Sequence, residues 1–252
     1  MFSGVVFDLD GVIVDSHSLH KRAWRAFLGS IGKQVSESDL DFILEGRRRR
    51  DILIHFLGEL SDTEIQEYGK KKDNLFRQAC AILEPVAGSV ELIKQLEQAG
   101  LCMALATSAS RQRARWTLQQ LKIADSFGVV VTGDDVAQSK PDPTIYQLAA
   151  QRLSISPESL CAIEDSVCGV RSAKAAGLRC LGIAVGQNVQ PLILAGADRV
   201  FPNLVKLSIR DLEEVFSTDP RGGPASHNEW IPAERAIGSS PKSRLPADST
   251  DA

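Results

Sequence analysis

The 252-residue chain has no apolar run near the roughly 18 residues that a bilayer-spanning helix needs. Its start, Met1-Phe2-Ser3-Gly4-Val5-Val6-Phe7-Asp8, lacks the basic opening and long apolar stretch of a secretion signal. A cytoplasmic protein with no membrane partner is therefore expected. It also lacks a basic excess: 29 Lys and Arg stand against 32 Asp and Glu, for a net charge of −3. That balance argues against a general nucleic-acid binder. No Cys-x-x-Cys pair occurs, and the five cysteines, Cys80, Cys102, Cys161, Cys168 and Cys180, are an odd number. A disulfide framework or a zinc site is not expected. Cys102, Cys161 and Cys180 lie in apolar, strand-like runs and read as small buried hydrophobes. What the chain does have is 43% hydrophobic residues, enough to bury a sizeable core and to exclude wholesale disorder.

Short apolar runs at 5–7, 101–106, 128–132, 160–163, 180–185 and 199–201 read as strands. Between them lie helical patterns at 89–99, 111–121, 144–153 and 167–176. Gly100 and Gly177 act as stop signals, and Ser156-Pro157 reads as a helix start. Strands alternating with helices predict an α/β fold, a doubly wound parallel sheet covered on both faces. The gap between the first and second strands is too long for one crossover helix. In it, Trp24, Phe27, Leu28 and Ile31 form one apolar stripe, and Ile52, Leu53, Phe56, Leu57 and Leu60 another. Ser61-Asp62-Thr63-Glu64 is a capping box. Residues 16–83 therefore read as an inserted helical domain on a core made of 1–15 and 84–217. Hinges are expected at 15–16 and 83–88. From 218 to 252 the chain is rich in Pro, Gly and Ser without apolar periodicity and reads as a flexible tail.

Four pieces carry chemistry. Asp8-Leu9-Asp10-Gly11-Val12 follows the first strand, Thr107-Ser108 follows the second, Glu164-Asp165 ends the fourth, and Lys140 sits in Ser139-Lys140-Pro141-Asp142. In an open parallel sheet, ligands bind outside the carboxyl ends of the strands, so these pieces converge. Several carboxylates in one crevice repel, and Mg²⁺ relieves the repulsion while accepting phosphate oxygens. Hydroxyl, backbone N–H and ammonium groups supply donors to a phosphate. The set points to phosphoryl transfer. Asp8 is the candidate nucleophile, Asp10 the candidate general acid and base, and Lys140 a partner for the charge on the transferring group.

These motifs, in this order, make the chain resemble the haloacid dehalogenase superfamily of phosphotransferases over roughly residues 1–215. The resemblance implies Mg²⁺ on Asp8, the Asp10 carbonyl and Asp165, with Glu164 close by. It implies Thr107 and the Ser108 N–H on the phosphate, and a mobile cap in the helical insert. Asp15-Ser16, His20, Trp24, Gly46 with Arg49, and Lys71-Lys72-Asp73-Asn74 are similar to the β-phosphoglucomutases and related sugar-phosphate phosphatases. That subgroup implies His20, Arg49 and Lys71 on a sugar phosphate.

Plainer readings stand beside these. Arg47, Arg48, Arg49 and Arg50, flanked by Glu45 and Asp51, are either a solvated turn or a phosphate clamp, with Arg49 preferred on resemblance. His20 is either an exposed helix histidine or a hinge or substrate contact, and Lys71 either a surface or a site lysine. Trp24 and Phe27 read as cap core. The expected activity is that of a monomeric Mg²⁺-dependent phosphatase acting on a small phosphorylated sugar. A β-phosphoglucomutase converting glucose 1-phosphate to glucose 6-phosphate is the alternative. A non-catalytic module gripping phosphate or nucleic acid through the arginine run is the remote one.

Overall fold

The computed structural model describes residues 2–80, 82–205 and 207–217. Six strands form one all-parallel sheet: β1 (Gly4–Phe7), β2 (Cys102–Thr107), β3 (Val129–Thr132), β4 (Leu160–Glu164), β5 (Arg179–Ile183) and β6 (Arg199–Phe201). Their order is β3-β2-β1-β4-β5-β6. From β1 the chain builds outward to one side, then crosses back to β4 and builds to the other. The crevice at such a reversal lies at the carboxyl end of β1, where Asp8 sits.

Period-two alternation sends Val5 and Phe7 to one face of the sheet and Val6 to the other. The first face, with Leu105 and Ile163, packs on α5 (Ser89–Gln98), α6 (Arg111–Gln120) and α10 (Ile209–Ser217). The second, with Ala104 and Ala162, packs on α7 (Thr144–Leu153), α8 (Val167–Ala175) and α9 (Val189–Ala195). Both faces of β1 and β4 are fully buried, which explains why these strands read as continuous apolar runs.

Between β1 and α5 lie α1 (His17–Ser30), α2 (Glu37–Ile43), α3 (Arg49–Leu57) and α4 (Asp62–Ala79). Trp24, Phe27, Leu28, Leu40, Ile52, Leu53 and Ile65 form a core of their own within these helices, which make up the cap. Leu19, Ala23 and Phe76 instead join the sheet's cluster and fasten α1 and α4 to the α/β layer. The two connecting segments bond to each other: Asp15 N–H donates to the Glu84 carbonyl at 3.0 Å and Val86 N–H to the Ile13 carbonyl at 2.9 Å. The capping box at Ser61 and Glu64 forms as expected. A second box, Ser36 with Asp39, opens α2 and went unread in the sequence.

Two expectations change, and two helices are new. Ser156-Pro157 opens only a single 3₁₀ turn, Pro157–Ser159, and Ser156 makes no side-chain cap. Cys102 is exposed at the start of β2, whereas Cys161 and Cys180 are buried. Helices α9 and α10 carry no helical reading in the sequence, because α9 is short and α10 lies next to the tail. The tail from 218 lies outside the described residues. Among the described residues, no helix is long and apolar enough to cross a membrane.

Candidate active site

Asp8 leaves β1 with its N–H still donating to the Ile163 carbonyl of β4, at 3.0 Å. The chain then turns sharply at Gly11, whose φ is +80°. A Cβ there would fall 1.9 Å from Asp165 Oδ2, so glycine is what lets the Asp165 carboxylate approach this loop. Asp8, Glu164 and Asp165 can each bring one oxygen within 4.8 Å of the others. Lys140, almost wholly buried, bridges two of them: Nζ donates to Asp8 Oδ1 at 2.6 Å and Glu164 Oε1 at 2.5 Å. Tyr146 donates its hydroxyl to the same Glu164 oxygen at 2.6 Å. Glu164 Oε2 accepts Asp165 N–H and the Ser166 hydroxyl, both at 3.2 Å. Gly169 leaves room for it, since a Cβ there would lie 1.9 Å from the carboxyl carbon. His17 pairs with Asp165 at 3.0 Å.

The electrostatics follow from this crowding. Burial, with Glu164, Asp165 and Asp10 adding to it, pushes Asp8 well above the usual carboxylate range against the pull of Lys140. Burial alone would lower Lys140, but Asp8 and Glu164 outweigh it and hold the ammonium above its ordinary value. The Asp165 hydrogen bond lifts His17 to about 9 despite its burial. The acids are thus served by two cations of the chain itself, and negative charge is still in surplus. An all-oxygen donor set with surplus negative charge fits a hard divalent cation.

Asp10 differs from Asp8. Its Oδ1 accepts Ser16 Oγ at 2.6 Å, Arg113 Nη1 at 2.8 Å and His20 Nε2 at 3.1 Å, and its Oδ2 accepts Arg113 Nη2. Burial would raise its pKa, but Arg113 and His20 outweigh burial and hold it well below the carboxylate range. His20 is buried, so the reading of it as an exposed helix histidine is corrected. Lys72 Nζ lies 3.1 Å from His20 Nδ1. An ammonium can only donate, which makes Nε2 the protonated nitrogen facing Asp10. Burial and Lys72 bring His20 down to about 3, and burial with Arg113 brings Lys72 down to about 7.

The cap supplies the opposite wall. Arg49 Nη1 donates to Asp73 Oδ2 at 3.1 Å, and Ser110 Oγ to the same oxygen at 3.0 Å. The arginine run straddles the start of α3: Arg47 and Arg48 precede the helix, and Arg49 and Arg50 open it. Arg47 pairs with Glu45, Arg48 with Asp51 and the Val136 carbonyl, and Arg50 with Asp62 on the exposed side; Arg49 reaches inward. Ser108 donates its hydroxyl to the Gly46 carbonyl, tying cap to core. A cavity of about 70 Å³ lies between the two walls, lined among others by Asp8, Asp10, Arg49, Lys72, Ser108 and Arg113.

Asp8, Asp10, Thr107, Ser108, His20, Arg49 and Asp165 therefore meet at one cavity, with Lys140 and Glu164 directly behind Asp8. Lys71 does not join them. It is exposed, with Nζ 5.7 Å from the Tyr68 ring, and Lys72 takes the inward place. The buried positions of α4 are Ile65, Gly69, Lys72, Asp73 and Phe76, a helical stripe that passes through Lys72 and misses Lys71. That periodicity was readable in the sequence. For Arg113 and Tyr146 no motif gave a signal; Ser110 stands in the segment Thr107-Ser108-Ala109-Ser110, which is similar to the mutase pattern.

Residues 5–183 match the Haloacid dehalogenase-like hydrolase family. The chain belongs to this family. The hydrolase is 34% identical over 197 residues to a phosphorylated carbohydrates phosphatase of Thermotoga maritima, covering 77% of this chain and 91% of that one. It is 32% identical over 222 residues to hexitol phosphatase A of Escherichia coli, covering 87% and 96%. Its fold matches a CbbY mutant of Rhodobacter sphaeroides in complex with xylulose-(1,5)bisphosphate. There the TM-score is 0.74 and the identity 28%, over 82% of this chain and 97% of the other. With phosphatases and a β-phosphoglucomutase among its relatives, the hydrolase is an enzyme of phosphate-ester chemistry.

Proposed function

We propose that this hydrolase is a Mg²⁺-dependent phosphatase of a small phosphorylated sugar, acting through an aspartyl-phosphate on Asp8. The observation that carries this reading is the state of the Asp8 carboxylate. Lys140 holds Oδ1 at 2.6 Å, and among the described residues no donor occupies Oδ2 at the cavity. One oxygen is anchored and the other is available to attack phosphorus. Thr107 Oγ1 accepts Ala109 N–H at 3.1 Å, so its own proton remains for a phosphate oxygen. Asp8, Asp165 and the Asp10 carbonyl would hold the cation, with Glu164 behind them. Bound there, Mg²⁺ supplies positive charge against the transferring group. Arg113 and His20 hold Asp10 ionised, so for the first half-reaction it has to take up a proton, as the sugar phosphate binds, before giving it to the leaving sugar oxygen. In the second it takes one from the attacking water.

The cavity of about 70 Å³ is far below the ~300 Å³ of a small-ligand pocket. The cap must therefore open for a sugar phosphate to enter and close for chemistry. Arg49 and Lys72 line the same cavity as Asp8, two cations available to a second phosphate of a bisphosphate. That feature favours the second reading, a β-phosphoglucomutase. ³¹P NMR with Mg²⁺ and β-glucose 1-phosphate, primed with a trace of the 1,6-bisphosphate, separates the two. Phosphatase action yields inorganic phosphate from this or another sugar phosphate of a panel. Clean conversion to glucose 6-phosphate without phosphate release overturns it in favour of the mutase.

A further inference from the structure

We propose that Arg113 is the positioning residue that holds Asp10 ready for the hydrolytic half-reaction, and so directs this hydrolase toward water. The inference rests on the aspartyl-phosphate reading above and concerns a residue outside the four motifs. Arg113 lies in the first turn of α6, is buried at 5% exposure, and carries its guanidinium 5.5 Å from the Phe76 ring of α4. It spans both oxygens of Asp10 in the bidentate fork that only arginine offers.

The division of donors between the two oxygens decides the role. Oδ1 already receives Ser16, His20 and Arg113, which fills its acceptor capacity. Among the described residues Oδ2 receives Arg113 alone, so it keeps a lone pair. Arg113 fixes the plane of the carboxylate and leaves one oxygen free to accept. In hydrolysis, water oxygen attacks the phosphorus of phospho-Asp8 and the bond from phosphorus to Asp8 breaks. The electron pair returns to the Asp8 carboxylate, the water proton goes to Asp10 Oδ2, and inorganic phosphate leaves. A base gripped by an arginine of the core, in place before any sugar binds, serves this step between substrate encounters. A mutase has to protect its phosphoenzyme at that moment.

The test separates the two half-reactions. With p-nitrophenyl phosphate and Mg²⁺ in a rapid-mixing experiment, the leaving group needs no proton, so the first half-reaction does not depend on Asp10. The wild type should release nitrophenolate without a burst. Arg113→Met should give a burst approaching one equivalent per site at near wild-type rate, then a steady state slowed by ~10- to 10²-fold. Arg113→Lys, which keeps the charge and loses the fork, should lie between, and guanidinium ion should restore turnover of Arg113→Met several-fold. A parallel fall of burst rate and steady state, without rescue by guanidinium, assigns Arg113 a merely structural role and overturns the proposal. So does an unchanged steady state. Two further variants test the reading beneath it. Turnover by Asp8→Asn breaks the aspartyl-phosphate route itself. Absence of a burst in Asp10→Asn, with Asp8→Asn inactive, removes Asp10 as the base.

Discussion

The two walls of the cavity are built on different principles. On the sheet side, Asp8, Lys140, Glu164 and Tyr146 form a closed, almost dry cluster in which each charge touches its opposite. Asp8 and Glu164 sit at strand ends, Lys140 on the loop before α7, and Tyr146 within α7 itself. On the cap side, Arg49, Lys72 and Asp73 ride on helices whose main core is separate from the sheet's. The first wall is built for one geometry; in the proposed reading the second travels with the cap. Chemistry needs fixed charges, because reorganising them at the moment of reaction costs the stabilisation they offer. Substrate choice needs charges that travel with a lid.

Damage to the sheet wall should therefore remove turnover, and damage to the cap wall should change substrate handling. The largest effect is expected for Asp8→Asn, which should cut kcat by at least ~10⁴-fold with the fold intact by circular dichroism, since an amide is a poor nucleophile. Lys140→Met comes next. It leaves Asp8 and Glu164 buried without their cation, so stability should fall by about 3 kcal/mol or more and Tm by roughly 10 °C, alongside a rate loss of ~10²-fold. A Tm within a degree or two of wild type would show that the sheet wall is not the rigid one.

Lys72→Met should act mainly on KM for the sugar phosphate, by ~10-fold, about one lost charged contact. It also carries a pH signature. The folded pKa of Lys72, about 7, lies below the ordinary lysine value near 10.4. Between those two pH values the unfolded chain binds the extra proton. The Lys72 contribution to stability therefore rises with pH through this window and is lost as pH falls. The stability difference between wild type and Lys72→Met, followed by urea titration from pH 7 to 10, should shift in favour of the wild type. A flat difference would place Lys72 outside the buried site. Lys71→Ala is the smallest case, with changes in kcat and KM below about twofold, as for an exposed lysine.

The sheet wall was also the readable one. Strand ends bring Asp8, Thr107 and Glu164 together by topology, and Gly11 marks a turn that only glycine makes easily; no side-chain packing had to be known. Lys140 came from its place in a motif, and its buried bridge could not be read from Ser139-Lys140-Pro141. The cap wall depends on rotation about helix axes, where one residue is about 100°. That is why Lys71 and Lys72 exchange roles, and why Arg49 and Arg50, neighbours in the first turn of α3, take different partners. Arg113 was invisible because its partner, Asp10, lies about a hundred residues earlier in the chain. α9 is held by Leu192 against the second sheet face and α10 by Leu212 and Val215 against the first, tertiary supports that local pattern does not announce.

The pairing of the two connecting segments has a consequence for modularity. Asp15 and Glu84 lie side by side, joined by a backbone hydrogen bond, although the whole cap separates them in sequence. The insert leaves and re-enters the core at one point. A tight turn from Asp15 to Glu84 would close the α/β layer without stretching any strand, and another insert with neighbouring ends could be spliced in its place. The nucleophile and its sheet could then stay constant while what is grafted above them changes.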